Sequence, residues 1–279
     1  MTTKMKTLKF ALAAALVVAA AGGALAAQSA GQSAPPSVAP STPSRLPQGY
    51  LASAAPADSV LLSPAPPAAG SVAEARDLEA AKAALALKGG PRWDLATVDA
   101  DLWRPDVTST FSCAAGRDIS AQATPATDKL LRKTFADLGL STAAIKRKYQ
   151  RGRPFMANGQ PTCTPDMEPI LRKDGSYPSG HSAIGYGWAL ILAELLPDHA
   201  NAIVARGRAF GDSRRICNAH WLSDTEEGRI AASAVVARLH ADPAFRADLE
   251  AAKAELAALP AKPSTRDCAA EAAALALTQ

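Results

Sequence analysis

Apolar residues along this chain recur with the 3.6-residue period of helices, and the alternation expected of strands is nearly absent. The first clear helix opens at Ser71-Val72-Ala73-Glu74, the pattern of a capping box, and stops at Gly89-Gly90. Trp93 to Trp103 predicts a second, closed by Pro105. Leu130, Leu131, Thr134, Phe135 and Leu138 share one face of a third, which Gly139 ends, and Ser141 can cap the next. Further helices are predicted over 182–196, 198–210, 225–240 and 243–259, the last with Phe245, Leu249 and Leu256 on one stripe. About 200 residues arranged in this way can bury one core, so the expected fold is all-α, a single compact helical bundle domain. Its expected bounds are 49–262, with a tail at 263–279.

Two stretches fall outside that pattern. Residues 1–26 carry Lys4, Lys6 and Lys9, then an apolar run from Phe10 to Ala21, then Ala24-Leu25-Ala26. A basic start, a short apolar centre and a small-residue exit predict a secretory signal peptide, because a spanning helix needs about 20 apolar residues. An uncleaved anchor is the alternative. No second long apolar segment occurs in the sequence, so the mature protein is expected to be periplasmic and free of the membrane once the signal is cleaved. Residues 27–48, rich in Ala, Pro, Ser and Gly, predict a disordered N-terminal tether. A second Pro/Ala patch at 63–70 follows Tyr50-Leu51 and Val60-Leu61-Leu62, whose apolar side chains can lay this arm on the domain surface.

Charge and cysteine content narrow the compartment and the partners. The formal charge of +4 includes the three signal lysines, and the chain without them carries about +1. That near-neutral balance gives no basis for a nucleic-acid partner. Four cysteines, none in a C-x-x-C pair, predict two disulfides in an oxidising compartment rather than a zinc site. Three pairings are open; the position of Cys163 and Cys217 beside the motifs below favours that pair, leaving Cys113 with Cys268.

Three segments carry candidate chemistry. In Pro178-Ser179-Gly180-His181, Ser179 is placed to cap the following helix and Gly180 lets the backbone approach a ligand. N–H groups at such a helix start favour an oxyanion, and His181 stands beside them to give or take a proton. A turn that merely opens a core helix would read the same. Lys146 and Arg153 lie seven residues apart, and Pro154 pushes Arg153 out of the helical region, so that both can reach one ligand. The alternative is a solvated basic face that also includes Arg147, Lys148 and Arg151. In the third segment His220 and Asp224 are four apart, the spacing at which a carboxylate holds one ring nitrogen and leaves the other for substrate; Arg214 precedes them. A satisfied buried His–Asp pair is the alternative there.

Taken together, Lys146-x6-Arg153-Pro154, Pro178-Ser179-Gly180-His181 and Ser213-Arg214-x5-His220-x3-Asp224 form a signature that resembles the type 2 phosphatidic acid phosphatase superfamily. With Arg92-Trp93-Asp94-Leu95 upstream, the likeness is greatest to its soluble branch, the secreted class A bacterial non-specific acid phosphatases, and runs from about Tyr50 to Leu259. The resemblance implies a helical, periplasmic enzyme that needs no metal or other cofactor, acts on small phosphate monoesters and is a possible homo-oligomer. It makes His220 the nucleophile, Asp224 its orienting partner and His181 the acid for the leaving alcohol. Lys146, Arg153 and Arg214 would hold phosphate oxygens, with Ser179 and the Gly180 amide completing the cradle. Ser182 stands where threonine is frequent, and Glu226-Glu227 is more acidic than expected there.

Rival functions share parts of this constellation. Vanadium haloperoxidases use the same residues around vanadate, and membrane lipid phosphatases need several spanning helices that the sequence lacks. A non-enzymatic anion-binding protein would use the cations without needing both His181 and His220.

Overall fold

The computed structural model describes residues 48–51 and 59–278; the predicted signal peptide and all but the last residue of the predicted tether lie outside them. A single turn, α1 (Ser59–Leu62), precedes the first long helix, α2 (Val72–Leu85). Ser71 Oγ accepts the Glu74 N–H at 3.1 Å, while the Glu74 carboxylate accepts from Gly70 N–H at 2.6 Å, one residue before the position that a capping box uses. Helix α3 (Pro91–Ala100) begins on a proline, whose missing N–H is no loss at the first helical position. It stops short of Trp103 because Asp101 leaves the helix and its carboxylate takes the Trp103 N–H. Helix α4 (Pro125–Leu140) runs through Gly139 rather than ending there, and Thr142, not Ser141, precedes α5 (Ala143–Tyr149).

Two short helices, α6 (Pro154–Asn158) and α7 (Glu168–Leu171), lead to the central element, α8 (Gly180–Leu195). Then come α9 (Ala200–Ile216), α10 (Leu222–Leu239), α11 (Pro243–Ala258) and α12 (Cys268–Ala276), and no strand occurs among the described residues. The expected all-α fold is what the chain adopts. Helix α9 outruns its predicted end at Phe210 because Gly211 continues the helix instead of breaking it, which places Ser213 and Arg214 on its last turn. Helix α12 lies within the segment read as a tail; the Cys113–Cys268 disulfide and an ion pair from Glu271 to Arg206 dock it.

Helix α8 packs against α4, α9, α10 and α11, and its Ile184, Trp188, Ile191 and Leu192 are buried in the core. Trp188 donates its indole N–H to Leu131 O of α4 at 2.8 Å, so this large side chain is buried without an orphaned donor. The α11 stripe of Phe245, Leu249 and Leu256 is buried as its spacing predicts. Tyr50 and Leu51 go deeper than a surface arm: their N–H groups meet the Asp137 carboxylate at 2.8 and 3.0 Å, and the Tyr50 hydroxyl donates to Asp248 at 2.6 Å. Leu61, by contrast, stays in solvent.

Close helix contact at the α8 N-terminus depends on glycine. A Cβ at Gly228 of α10 would fall 2.5 Å from the Ser179 carbonyl oxygen, and one at Gly211 of α9 would fall 2.7 Å from Ser182 Oγ. Beneath this junction lies a buried charge network. Arg206 pairs with both Asp99 oxygens at 3.1 and 2.7 Å and with Glu271 at 3.2 Å. Ser213 joins it, donating to Asp99 at 2.6 Å and accepting from Arg92 at 3.0 Å.

Candidate active site

Main-chain bonds bring the three sequence segments together. Ser179 N–H donates to Asp224 O at 2.8 Å, which ties the start of α8 to the first turn of α10. Ser176 N–H donates to Arg151 O at 2.9 Å, and Phe155 N–H to Asn218 O at 3.2 Å. Each bond satisfies an amide that has no intrahelical partner. Two residues with positive φ make the necessary turns: Gln150 ends α5, and Asn218, a residue type tolerant of that region, ends the turn after α9. Asn218 is held by its side chain, which bonds Asn158 and Gln160 O, and the neighbouring Cys163–Cys217 disulfide fixes the same turn. Both disulfides follow the pairing that the motif positions favoured.

His220 sits just before α10, not on it. Its Nδ1 lies 3.2 Å from Asp224 Oδ2, which also accepts the Trp221 N–H at 2.8 Å. Asp224 therefore caps the helix and orients the imidazole with one oxygen. Arg153 Nη1 can only donate, and it lies 3.0 Å from His220 Nε2. The ring therefore carries its proton on Nδ1 and a lone pair on Nε2. Burial, followed by Arg153, Lys146 and Arg214, holds the His220 pKa well below the usual histidine range and so favours the neutral ring. Burial also pushes the Asp224 carboxyl above its usual range, against the pull of Arg151.

A cavity of about 340 Å³ opens over Nε2, lined by Lys146, Arg153, Gly180, His181, Arg214 and His220. As its position before Pro154 predicts, Arg153 is extended (φ −93°, ψ 157°) and turns its guanidinium back into the site. Arg214 is buried, its Nε has no hydrogen-bond partner and the side chain has no ion pair among the described residues. Burial and Arg153 push its pKa down to about 9. Burial and Arg153 likewise push Lys146 down to about 8. Two cations so perturbed store positive charge that an anionic ligand would relieve.

His181, on the first turn of α8, has its Nε2 3.0 Å from Ala100 O, the last carbonyl of α3; Nε2 therefore carries a proton and Nδ1 is left for the cavity. Burial and then Arg214 hold its pKa well below the usual value. Ser179 is placed differently from the cavity residues: fully buried, it caps α8 by accepting the Ser182 N–H at 3.2 Å and does not line the cavity. His199 and His240 do not line it either. Among the described residues no group of three or more His, Cys, Asp or Glu side chains is placed to hold a metal ion, and no helix is long and apolar enough to cross a membrane.

One residue in contact with the candidate site escaped the sequence reading. Arg151, grouped there with a solvated basic face, donates to the free Asp224 oxygen at 2.7 Å and to Asp77 of α2 at 2.7 Å. Asp77 in turn accepts from Ser223 N–H at 2.8 Å and Ser223 Oγ at 2.6 Å. The i+2 spacing of Arg151 and Arg153 around Gly152 was the available signal: in an extended segment such residues share a face. The acidic pair also resolves in part, since Glu226 takes both Nη atoms of Arg76, at 3.0 and 2.5 Å.

Comparison with known proteins identifies the family. Residues 133–247 match the PAP2 superfamily. The chain is 43% identical to an acid phosphatase of Zymomonas mobilis, over 71% of this chain and 75% of that one. It is 41% identical to non-specific acid phosphatases of Providencia stuartii, over 75% and 85%, and of Salmonella typhimurium, over 69% and 78%. With the segments in their expected order and an all-α frame around them, this chain belongs to the PAP2 superfamily, in its class A non-specific acid phosphatase branch.

Proposed function

We propose that this protein is a periplasmic, metal-independent acid phosphatase that hydrolyses phosphate monoesters through a phosphohistidine at His220. The observation that carries the reading is a neutral His220, backed by Asp224 through Nδ1, whose Nε2 faces a cavity ringed by Lys146, Arg153 and Arg214. The three cations, with the Gly180 amide at the α8 terminus, supply the positive charge that a transferring phosphoryl group needs. Ser179 contributes by setting that terminus.

In the first step Nε2 attacks phosphorus in line, the P–O bond to the alcohol breaks, and His181 Nδ1–H gives its proton to the departing oxygen. Asp224 stabilises the charge on His220. A bound phosphate dianion raises the His181 pKa from its depressed value, so the acid is charged when substrate is present. In the second step water attacks the phosphohistidine, His181 Nδ1 takes its proton, and the N–P bond breaks to release phosphate. An added alcohol can replace that water, giving phosphotransfer. Leu140, Ala143 and Leu171 form cavity wall beyond the cations and offer contact without directional bonds, which supports a broad range of alcohols.

Export is supported by the two disulfides together with the N-terminal pattern of residues 1–26. The decisive experiment is rapid quenching with labelled substrate. An acid-labile phosphoenzyme is expected in the parent and none in His220→Ala, with overall retention at a chiral phosphate and rates indifferent to EDTA. Inversion would replace the covalent route by direct attack of water.

A further inference from the structure

Arg153 has five N–H groups, and the structure accounts for all of them. Nε–H lies between Leu171 O at 2.9 Å and Asp174 O at 3.2 Å, and Nη1 donates to Ala219 O at 2.9 Å and to His220 Nε2. Nη2 faces Asp174 Oδ2 at 3.1 Å and Gly175 O at 3.5 Å. The same Asp174 oxygen lies 2.8 Å from Lys146 Nζ, which also donates to Gly175 O. A phosphate can be gripped by Arg153 only by taking a donor from an acceptor already present.

The acceptors differ in how easily they let go. The main-chain carbonyls of Leu171, Asp174, Gly175 and Ala219 are fixed by the fold. Only His220 Nε2 and the Asp174 carboxylate belong to side chains, and Nε2 must be released in any case for attack on phosphorus. The Asp174 side chain is 50% exposed, so it can exchange the two cations for water at small desolvation cost. It also carries the charge type of the ligand.

We propose that Asp174 sets the affinity of the pocket: its carboxylate competes with the phosphate group of substrate and product for Lys146 and Arg153. This rests on reading the cavity as a phosphate site. The competition weakens the hold on inorganic phosphate, the product that has the most charge to offer those cations, and so limits product retention. It also keeps Lys146 and Arg153 paired with an anion whichever ligand is present. Asp174 is an affinity-determining residue rather than a catalytic one, since no bond to it is made or broken.

The test compares the parent with Asp174→Asn, Asp174→Ala and Asp174→Glu, using inorganic phosphate and vanadate as inhibitors and p-nitrophenyl phosphate as substrate, with a melting curve for each protein. Removal of the charge in the first two variants is expected to lower the inhibition constant for phosphate and the KM together, by about three- to tenfold, the range for a partly exposed pair with two cations. Asp174→Glu, which keeps the carboxylate, is expected to stay nearer the parent than either. Constants that rise or stay unchanged in well-folded Asn and Ala variants would overturn the proposal, leaving Asp174 a prop for Lys146 and Arg153. Calorimetric titration of the parent with phosphate separates the two readings. Binding without hydrolysis would defeat only the phosphatase assignment, and the same phosphate titration of the variants would still decide the competition. No binding at all would defeat both.

Discussion

Two clusters of buried arginine lie against α9, and they are built on opposite principles. Around Arg206, two carboxylates answer one guanidinium: burial lowers its pKa, but Asp99 and Glu271 outweigh that and carry it above the ordinary value. Around Arg214, two turns further along the same helix, there is no carboxylate partner among the described residues, and the pKa falls to about 9. Neutralised charge fixes α3, α9 and α12 together; unneutralised charge waits for an anion. A buried pair is destabilising to break and a buried lone cation is destabilising to keep, so the two clusters should answer the same substitution in opposite ways.

The largest expected effect comes from that substitution. Arg206→Met strands Asp99 in the interior, leaves Glu271 with Arg266 alone, and should cost about 3–5 kcal/mol, lowering the melting temperature by about 10 °C or more. Arg214→Met should leave the melting temperature unchanged or raised, while kcat/KM falls by about 10²–10³-fold, the usual cost of one donor to a developing oxyanion. Thermal melts and steady-state kinetics on both variants decide it; a large loss of stability in the Arg214 variant would erase the distinction.

A smaller effect sharpens it from the side of Asp224. Arg151→Met removes the cation on the free Asp224 oxygen, so the carboxyl pKa, already raised by burial, rises further. A protonated Asp224 supports His220 less well. We expect kcat to fall by about 10- to 100-fold with KM little changed, the loss to deepen as pH falls, and Arg151→Lys to recover part of it. A loss confined to KM would assign Arg151 to substrate instead.

The smallest effect is on stability against pH. His220 is held neutral by burial, its folded pKa lying below that of the unfolded chain, so the unfolded state binds the extra proton. Stability from this group is therefore complete above about pH 6.5 and declines below it, by about 1.4 kcal/mol per pH unit until the depressed folded pKa is reached. The melting temperature should fall from pH 7 to pH 5. His220→Gln should reduce that fall, and so should saturating phosphate, which favours the charged ring. A melting temperature independent of pH in the parent would contradict the buried, neutral assignment.

How much of this was legible depended on whether a residue acts through its neighbours in sequence or across space. The α11 stripe, the Ser179 cap and the extended Arg153 follow from local rules of spacing, capping and proline, and each is where those rules put it. Gly139 was misread as a helix stop, because a glycine that ends a helix and one that admits a neighbouring helix look alike in one sequence. Arg151 entered only as part of an alternative solvated basic face, because its partners, Asp77 and Asp224, are 74 and 73 residues away. Motif order named Lys146, Arg153, Gly180, His181, Arg214 and His220, which line one cavity, whereas the placement of Asp174 on the cations and of Arg151 behind Asp224 required coordinates.

The glycine contact at Gly228 bears on how such an enzyme can change. Where α10 meets the Ser179 carbonyl, the spacing between helices is set by backbone against backbone, with no rotamer to absorb an added atom. Any enlargement there would be passed directly to the stretch carrying His181 and, through the Ser179–Asp224 bond, to the stretch carrying His220. The stretches that carry the two histidines are thus coupled rigidly at this seam. Variation in substrate preference has room elsewhere, on the α4–α5 wall at Leu140 and Ala143, where side chains can be exchanged without moving either histidine. Laboratory evolution of this scaffold should therefore gather its accepted changes on that wall and leave the seam untouched.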